Sequence, residues 1–174
     1  MGFIINPYWF VSSTPPGDDY ENYYSNDFDG TDDYVDLGTE LNSMFELGDS
    51  FSISVWIKFG NTATDRTIVA NLNSSTKGFQ LRLRPTEQVR WGIAQTPSVY
   101  GVVDSSVLAI DTWHHIVATY DGTNVTGLKL YVNGSLDTGT LDSGGTITDI
   151  TVTESIKIGK YASGQNYAGK IDEV

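Results

Sequence analysis

The strongest pattern in the chain lies at residues 51–59. Phe51, Ile53, Val55, Ile57 and Phe59 alternate there with Ser52, Ser54, Trp56 and Lys58. A period of two puts the apolar set on one side of an extended backbone, which predicts a half-buried strand. Phe79, Leu81 and Leu83 repeat the pattern against Gln80, Arg82 and Arg84, and Pro85-Thr86-Glu87 supplies a turn before Val89, Trp91 and Ile93 resume it. Trp113–Tyr120 reads as a further strand closed by Asp121-Gly122. Leu128, Leu130 and Val132 then run into Asn133-Gly134, the pair preferred in a type I′ hairpin turn. Ile156–Ile158 and Lys170–Val174 complete the set. No ten-residue segment carries a 3.6-residue period. Short strands separated by turn residues predict an all-β, antiparallel β-sandwich of the jelly-roll kind over residues 25–174.

Residues 1–24 break this pattern. Phe3, Ile4, Ile5, Tyr8, Trp9 and Phe10 form an apolar cluster ahead of a polar tether, Ser12–Asp19, whose Pro15-Pro16-Gly17 fits neither a helix interior nor a central strand. The segment reads as an extended N-terminal arm, and its aromatics are the candidate residues for docking on a partner. It lacks a basic leader region and is too short to cross a bilayer.

Composition narrows the function. The 174 residues hold 22 acids against 10 bases, a formal charge of −12. That balance opposes nucleic-acid partners, which need a basic face, and anionic membrane surfaces. The absence of cysteine excludes disulfides and thiolate chemistry. The charge is unevenly placed: residues 1–57 carry 11 acids and no base, while the remainder is nearly balanced.

Several ordered motifs carry a family resemblance. They are Phe28-Asp29-Gly30-Thr31-Asp32-Asp33-Tyr34-Val35-Asp36-Leu37-Gly38, Phe51–Lys58, Trp113–Gly122, Leu130–Gly134, Ile158-Gly159 and Gly169–Val174. In this order they resemble laminin-G-like, concanavalin A-like lectin/glucanase jelly-roll domains. The opening Ile4-Ile5-Asn6-Pro7-Tyr8, followed by the Asp-rich motif, also resembles virion structural proteins of marine tailed phages. The resemblance implies a jelly roll whose pattern normally continues past Ile-Asp-Glu-Val. The expectation is therefore that the edge beside the last strand is closed by a neighbouring subunit or by further chain.

The glucanases of this fold place their acids on a Glu-x-Asp-x-x-Glu strand. No Glu here, at 21, 40, 46, 87, 154 or 173, stands in that spacing, so no enzyme activity is expected. His114 and His115 are adjacent, point to opposite faces of a strand and cannot act together. Asp29, Asp32 and Asp33 offer oxygen ligands suited to Ca²⁺, and the resemblance adds Asp172 near the last strand as a fourth, giving a structural calcium site as the expected cofactor. The same residues also serve ordinary turn chemistry. Arg82, Arg84 and Arg90 form a basic strip, and Tyr161, Asn166 and Tyr167 lie in a Gly/Ser loop. These six are candidate ligand or subunit contacts, the strip for an acidic neighbour and the loop aromatics for a sugar ring.

The resulting expectation is a non-enzymatic phage capsid decoration protein on the virion surface. Its arm would anchor it to capsid or other virion proteins in a multi-copy assembly or homo-oligomer. The alternative is a carbohydrate-binding, lectin-like module, free or as a tail-fibre receptor-binding part, with a glycan as partner.

Overall fold

The computed structural model describes residues 25–72, 77–161 and 164–174. The docking residues proposed for the arm, Phe3 to Phe10, lie outside them. In chain order the strands are β1 (Asn26–Asp29), β2 (Val35–Asp36), β3 (Phe51–Lys58), β4 (Arg66–Ala70), β5 (Gly78–Leu83), β6 (Val89–Thr96) and β7 (Val99–Asp104). They continue with β8 (His114–Tyr120), β9 (Lys129–Val132), β10 (Ser135–Leu136), β11 (Asp142–Gly144), β12 (Lys157–Ile158) and β13 (Ala168–Asp172). One sheet has the order β1-β13-β3-β8-β9-β10 and the other β11-β7-β6-β5-β4-β12-β2. The pairings are antiparallel, and the two sheets make a sandwich of the jelly-roll kind.

The alternating rows form the core. Ile53, Val55, Ile57 and Phe59 from the first sheet are buried against Phe79, Leu81, Leu83, Val89, Trp91 and Ile93 from the second. Each such side chain contributes about 1.5–3 kcal/mol on burial. Trp91 adds a polar tie between the sheets: its Nε1 donates to the Thr119 carbonyl on β8 at 2.9 Å. Phe51 packs edge-on to Trp91 and Phe45 edge-on to Phe51, extending the aromatic core to one end of the sandwich. Asn133 and Gly134 take φ of 50° and 79°, the left-handed pair a type I′ turn between β9 and β10 requires.

Strand β13 sits between β3 and β1, with Ile171 opposite Ile57 on one side and Asn26 on the other. The strand partner expected from a neighbour is thus supplied by β1 of the same chain. Gly169 permits this packing: at φ 129° its position would put a Cβ 2.3 Å from the Lys58 carbonyl oxygen. His114 and His115 separate as the strand period dictates. His114 is buried and donates from Nε2 to the Ala109 carbonyl at 2.9 Å. His115 faces outward, stacked on Trp56 with ring centroids 5.0 Å apart, and its Nε2 is hydrogen-bonded with Ser54 Oγ at 2.9 Å.

Candidate functional site

The outward face of the larger sheet gathers the strip arginines. Arg82 on β5 stands directly opposite Arg90 on β6, and Arg90 directly opposite Asp104 on β7. Like charges facing across a ladder repel, and the fold answers with carboxylates. Arg90 binds Asp104 in bidentate fashion, Nε to Oδ1 and Nη2 to Oδ2, both at 2.7 Å. Arg84 Nη1 reaches the same Oδ2 at 3.0 Å. Asp65, in the loop before β4, takes Arg82 at 3.1 Å. Burial raises the Asp104 carboxyl, but the hydrogen bonds and charges of Arg90 and Arg84 outweigh it and hold the group below its usual range. The Asp104 hydrogen bond, against some burial, raises Arg90. Burial is the main influence on Arg82 and pushes it down, with Asp65 opposing. The three arginines form one cluster on this face, with Asp104 and Asp65 of the same chain as counterions. Arg66 is not part of it. Its Nε donates to Thr62 Oγ1 and its Nη1 to the Asn166 carbonyl, tying loops together at the end of β4.

Beside the strip, Ala70, Leu72, Glu154, Ser155, Lys157, Lys160 and Tyr161 line a shallow, solvent-open depression. Tyr161 is raised by burial and feels both Arg82 and Glu154, which links the depression to the strip. Arg82 Nε, Arg84 Nε and Glu154 Oε2 are buried without a hydrogen-bond partner. Buried polar atoms of a folded protein are usually hydrogen-bonded, to protein or to ordered water. Across strip and depression there are five cations, Arg82, Arg84, Arg90, Lys157 and Lys160, against three carboxylates, Asp65, Asp104 and Glu154. At the margins Asp36 stands opposite Lys157 and Asp142 acts on Arg90, so the cations of this face are closely balanced by carboxylates.

The loop residues separate. Tyr167 is fully buried, packs edge-on to Phe28 at 6.1 Å and directs its hydroxyl to the Lys58 carbonyl at 3.3 Å. It is a core residue, unavailable to a ligand, and its selection as a contact is corrected. Asn166 Nδ2 donates to the Thr31 carbonyl, so this side chain staples the Asp-rich loop to the β12–β13 connection. Of the three loop residues, Tyr161 alone belongs to the depression.

Asp29, Asp32 and Asp33 do converge: each offers a carboxylate oxygen, all within 4.8 Å of one another. Asp29 Oδ1 accepts from the Thr31 amide at 2.7 Å and Asp33 Oδ2 from the Asp29 amide at 3.0 Å. Asp172 is not with them. The register sets Asp29 opposite Ala168, four residues along β13 from Asp172, about 13 Å in strand length. The fourth ligand is thereby corrected. Three carboxylates with an orphaned Asn166 Oδ1 nearby still fit a hard, oxygen-seeking cation, with water completing its six to eight ligands.

Residues 29–174 match the family model described as the concanavalin A-like lectin/glucanases superfamily. The chain belongs to this superfamily. No curated protein matches it. Among solved structures, the CBM40 module of the Ruminococcus gnavus IT-sialidase, bound to α2,3-sialyllactose, superposes with a TM-score of 0.65. It is 15% identical, over 84% of this chain and 85% of that one. Mouse laminin α1 domains LG4-5 give a TM-score of 0.54 at 13% identity, over 85% of this chain and 40% of that one. A botulinum neurotoxin type C structure, whose cell entry depends on interaction with two ganglioside molecules, gives 0.53 at 17% identity, over 81% and 31%. At these identities the likeness shows the fold alone.

Proposed function

We propose that this protein is a non-enzymatic, lectin-like module that binds a glycan bearing a carboxylate, on the outward face of the larger sheet. The observation that carries the reading is the cluster of Arg82, Arg84 and Arg90 on one sheet face, set beside a depression lined by Lys157, Lys160 and Tyr161. Guanidinium groups match carboxylates in fork geometry. Tyr161 supplies an apolar ring with a polar tip, the surface a pyranose needs. The sialyllactose bound by the CBM40 neighbour is consistent with this ligand class.

Isothermal titration with sialyllactose and with neutral lactose tests the reading. The acidic sugar is expected to bind at least tenfold more tightly, about 1.4 kcal/mol. Arg82→Ala is expected to remove that preference. Equal affinity for the two sugars, or no heat with either at millimolar concentration, overturns the assignment.

Calcium belongs to the same reading as a structural ion held by Asp29, Asp32 and Asp33. It would fix the loop that Asn166 fastens to the β12–β13 connection. Its measurement is the melting midpoint in calcium against EGTA, and an unchanged midpoint removes calcium from the reading.

A further inference from the structure

Five of the nine large exposed apolar side chains among the described residues lie close together in sequence, the others being Val107, Ile110, Leu136 and Val174. Tyr34, Val35, Leu37, Leu41 and Met44 fall within eleven residues, at 45%, 37%, 39%, 41% and 53% exposure. Val35 lies on β2 and Met44 in the 3-10 turn Asn42–Met44, with Tyr34 just before β2 and Leu37 and Leu41 in the connection between them, at the rim of the larger sheet. β2 pairs on one side with β12 and is the terminal strand of its sheet among the described residues, so its other side is an open edge. Neither residue of β2 is buried, so this strand does not stay in place by filling the core. Exposed apolar side chains beside an unpaired edge are the kind of surface proteins keep for partners or blunt with very short strands, charges or Pro; β2 is two residues long and carries Asp36. No Lys or Pro stands in residues 31–57.

Charge identifies the occupant. Asp32, Asp33, Asp36, Glu40, Glu46 and Asp49 flank or interrupt the apolar residues along the chain, and the segment contains no base. The cations that touch this edge come from elsewhere: Lys160 lies over the Tyr34 ring at 4.3 Å from its centroid, and Lys157 stands opposite Asp36. A second copy of this chain docked edge to edge would bring the same six carboxylates together on molecules of charge −12, so self-association is opposed. We propose that the β2 edge and its following turn, residues 34–44, form a docking surface for a basic, apolar-faced segment of another protein. That segment adds as a strand beside β2, its apolar side chains on Leu37, Leu41 and Met44 and its cations on the surrounding acids.

The test uses the full chain and a short labelled peptide of alternating Lys and Val. Two control peptides replace Val by Ser or Lys by Glu. Binding is followed by fluorescence anisotropy and by amide shifts in ¹⁵N-labelled protein. The Lys–Val peptide is expected to shift the amides of residues 34–44 and to bind at least tenfold more tightly than either control. The triple variant Leu37→Ser/Leu41→Ser/Met44→Ser, which leaves every charge in place, is expected to lose that preference. Met44→Ser alone, at a more than half-exposed position, provides a folded second variant with a partial loss. Equal binding of the Lys–Ser peptide, or shifts spread over distant acids such as Asp137 and Asp142, reduces the effect to net charge and overturns the proposal. Sedimentation of the wild type as a dimer that the triple variant does not form makes a second copy the occupant. Nuclear Overhauser contacts from the patch to residues 3–10 make it the chain's own arm. Either result also overturns the proposal. None of these readouts depends on sugar binding.

Discussion

Replacing Asp104 tests the electrostatics of the outward face directly. Its carboxylate receives three charge-assisted hydrogen bonds, two from Arg90 at 2.7 Å and one from Arg84 at 3.0 Å. Its side chain is 23% exposed, and those of Arg90 and Arg84 are 16% and 30% exposed. Removing one partner of a fully buried ion pair costs about 3–5 kcal/mol, and surface pairs are worth about 0–1. This group stands between those limits. Asp104→Ala leaves two guanidinium groups, with Arg82 opposite Arg90, partly desolvated and without their counterion. A loss of about 2–3 kcal/mol at pH 7 follows, or roughly 5–10 °C in melting midpoint for a chain of this size. Asp104→Asn keeps an acceptor but not the charge, and falls between the wild type and the alanine variant.

The pH dependence carries a sign. In the folded protein the Asp104 carboxyl is held below its ordinary value of 3.8. Its contribution is therefore fully present above that value and is lost as the pH falls through the lower, folded one. Urea unfolding followed by tryptophan fluorescence at pH 7, 5 and 3 measures the gap between wild type and Asp104→Asn. The gap is expected to be constant from pH 7 to 5 and to narrow below pH 4, because the wild type loses its own charge there. A loss under about 0.5 kcal/mol for Asp104→Ala at pH 7, the scale of an exposed pair, would refute the reasoning. So would a gap that widens on acidification.

Other expectations follow from single contacts. Trp91→Phe keeps most of the buried ring and removes the Nε1 bond to Thr119. Its expected cost, read by urea unfolding, is about 1–2 kcal/mol. Tyr167→Phe removes one long hydrogen bond and costs under about 1 kcal/mol, whereas Tyr167→Ala empties a core position and costs about 3–5. Loss of sugar binding in a folded Tyr167→Phe would contradict its placement in the core. The Asp149 carboxyl, lowered to about 2 by Lys77 and by the Thr151 amide, is expected to titrate nearer its ordinary value of 3.8 in Lys77→Ala. A ¹³C-detected carboxyl titration reads this, and an unmoved midpoint contradicts the pairing.

The parts of the fold legible in the sequence are those where one face is buried and the other is not. β3 shows itself because Ile53, Val55 and Ile57 are buried while Ser52 and Ser54 are exposed, and the β5–β6 pair follows the same rule. β4 does not, because a bulge between Thr67 and Val69 puts Ile68, Val69 and Ala70 in the interior as a continuous run. β1 buries only Phe28 and β2 buries nothing, so neither leaves a period to read. The site was legible as residue types and not as partners. Arg82, Arg84 and Arg90 announce an outward row by alternation, but Asp104 and Asp65 reach them through strand register and a loop, which local spacing does not encode. Asp172 failed as a calcium ligand for the same reason, since four residues of register separate it from Asp29. Tyr167 looked like a loop residue because Gly and Ser surround it, yet the loop folds its ring beneath Phe28.

This division explains how a TM-score of 0.65 coexists with 15% identity. Folding constrains the inward rows to be apolar and of fitting volume, and many sequences meet that demand. It leaves the outward rows almost unconstrained, apart from the need to balance charges placed opposite one another. Arg82 opposite Arg90 is an arrangement that stability alone does not favour. Keeping it required Asp65 and Asp104 as counterions, and two guanidinium Nε atoms still lack acceptors. A sheet face selected for stability alone would carry Thr, Val or mixed charges at these positions. The unfavourable cross-strand pair, rather than the family fold, is therefore the feature that directs attention to an anionic ligand at this face.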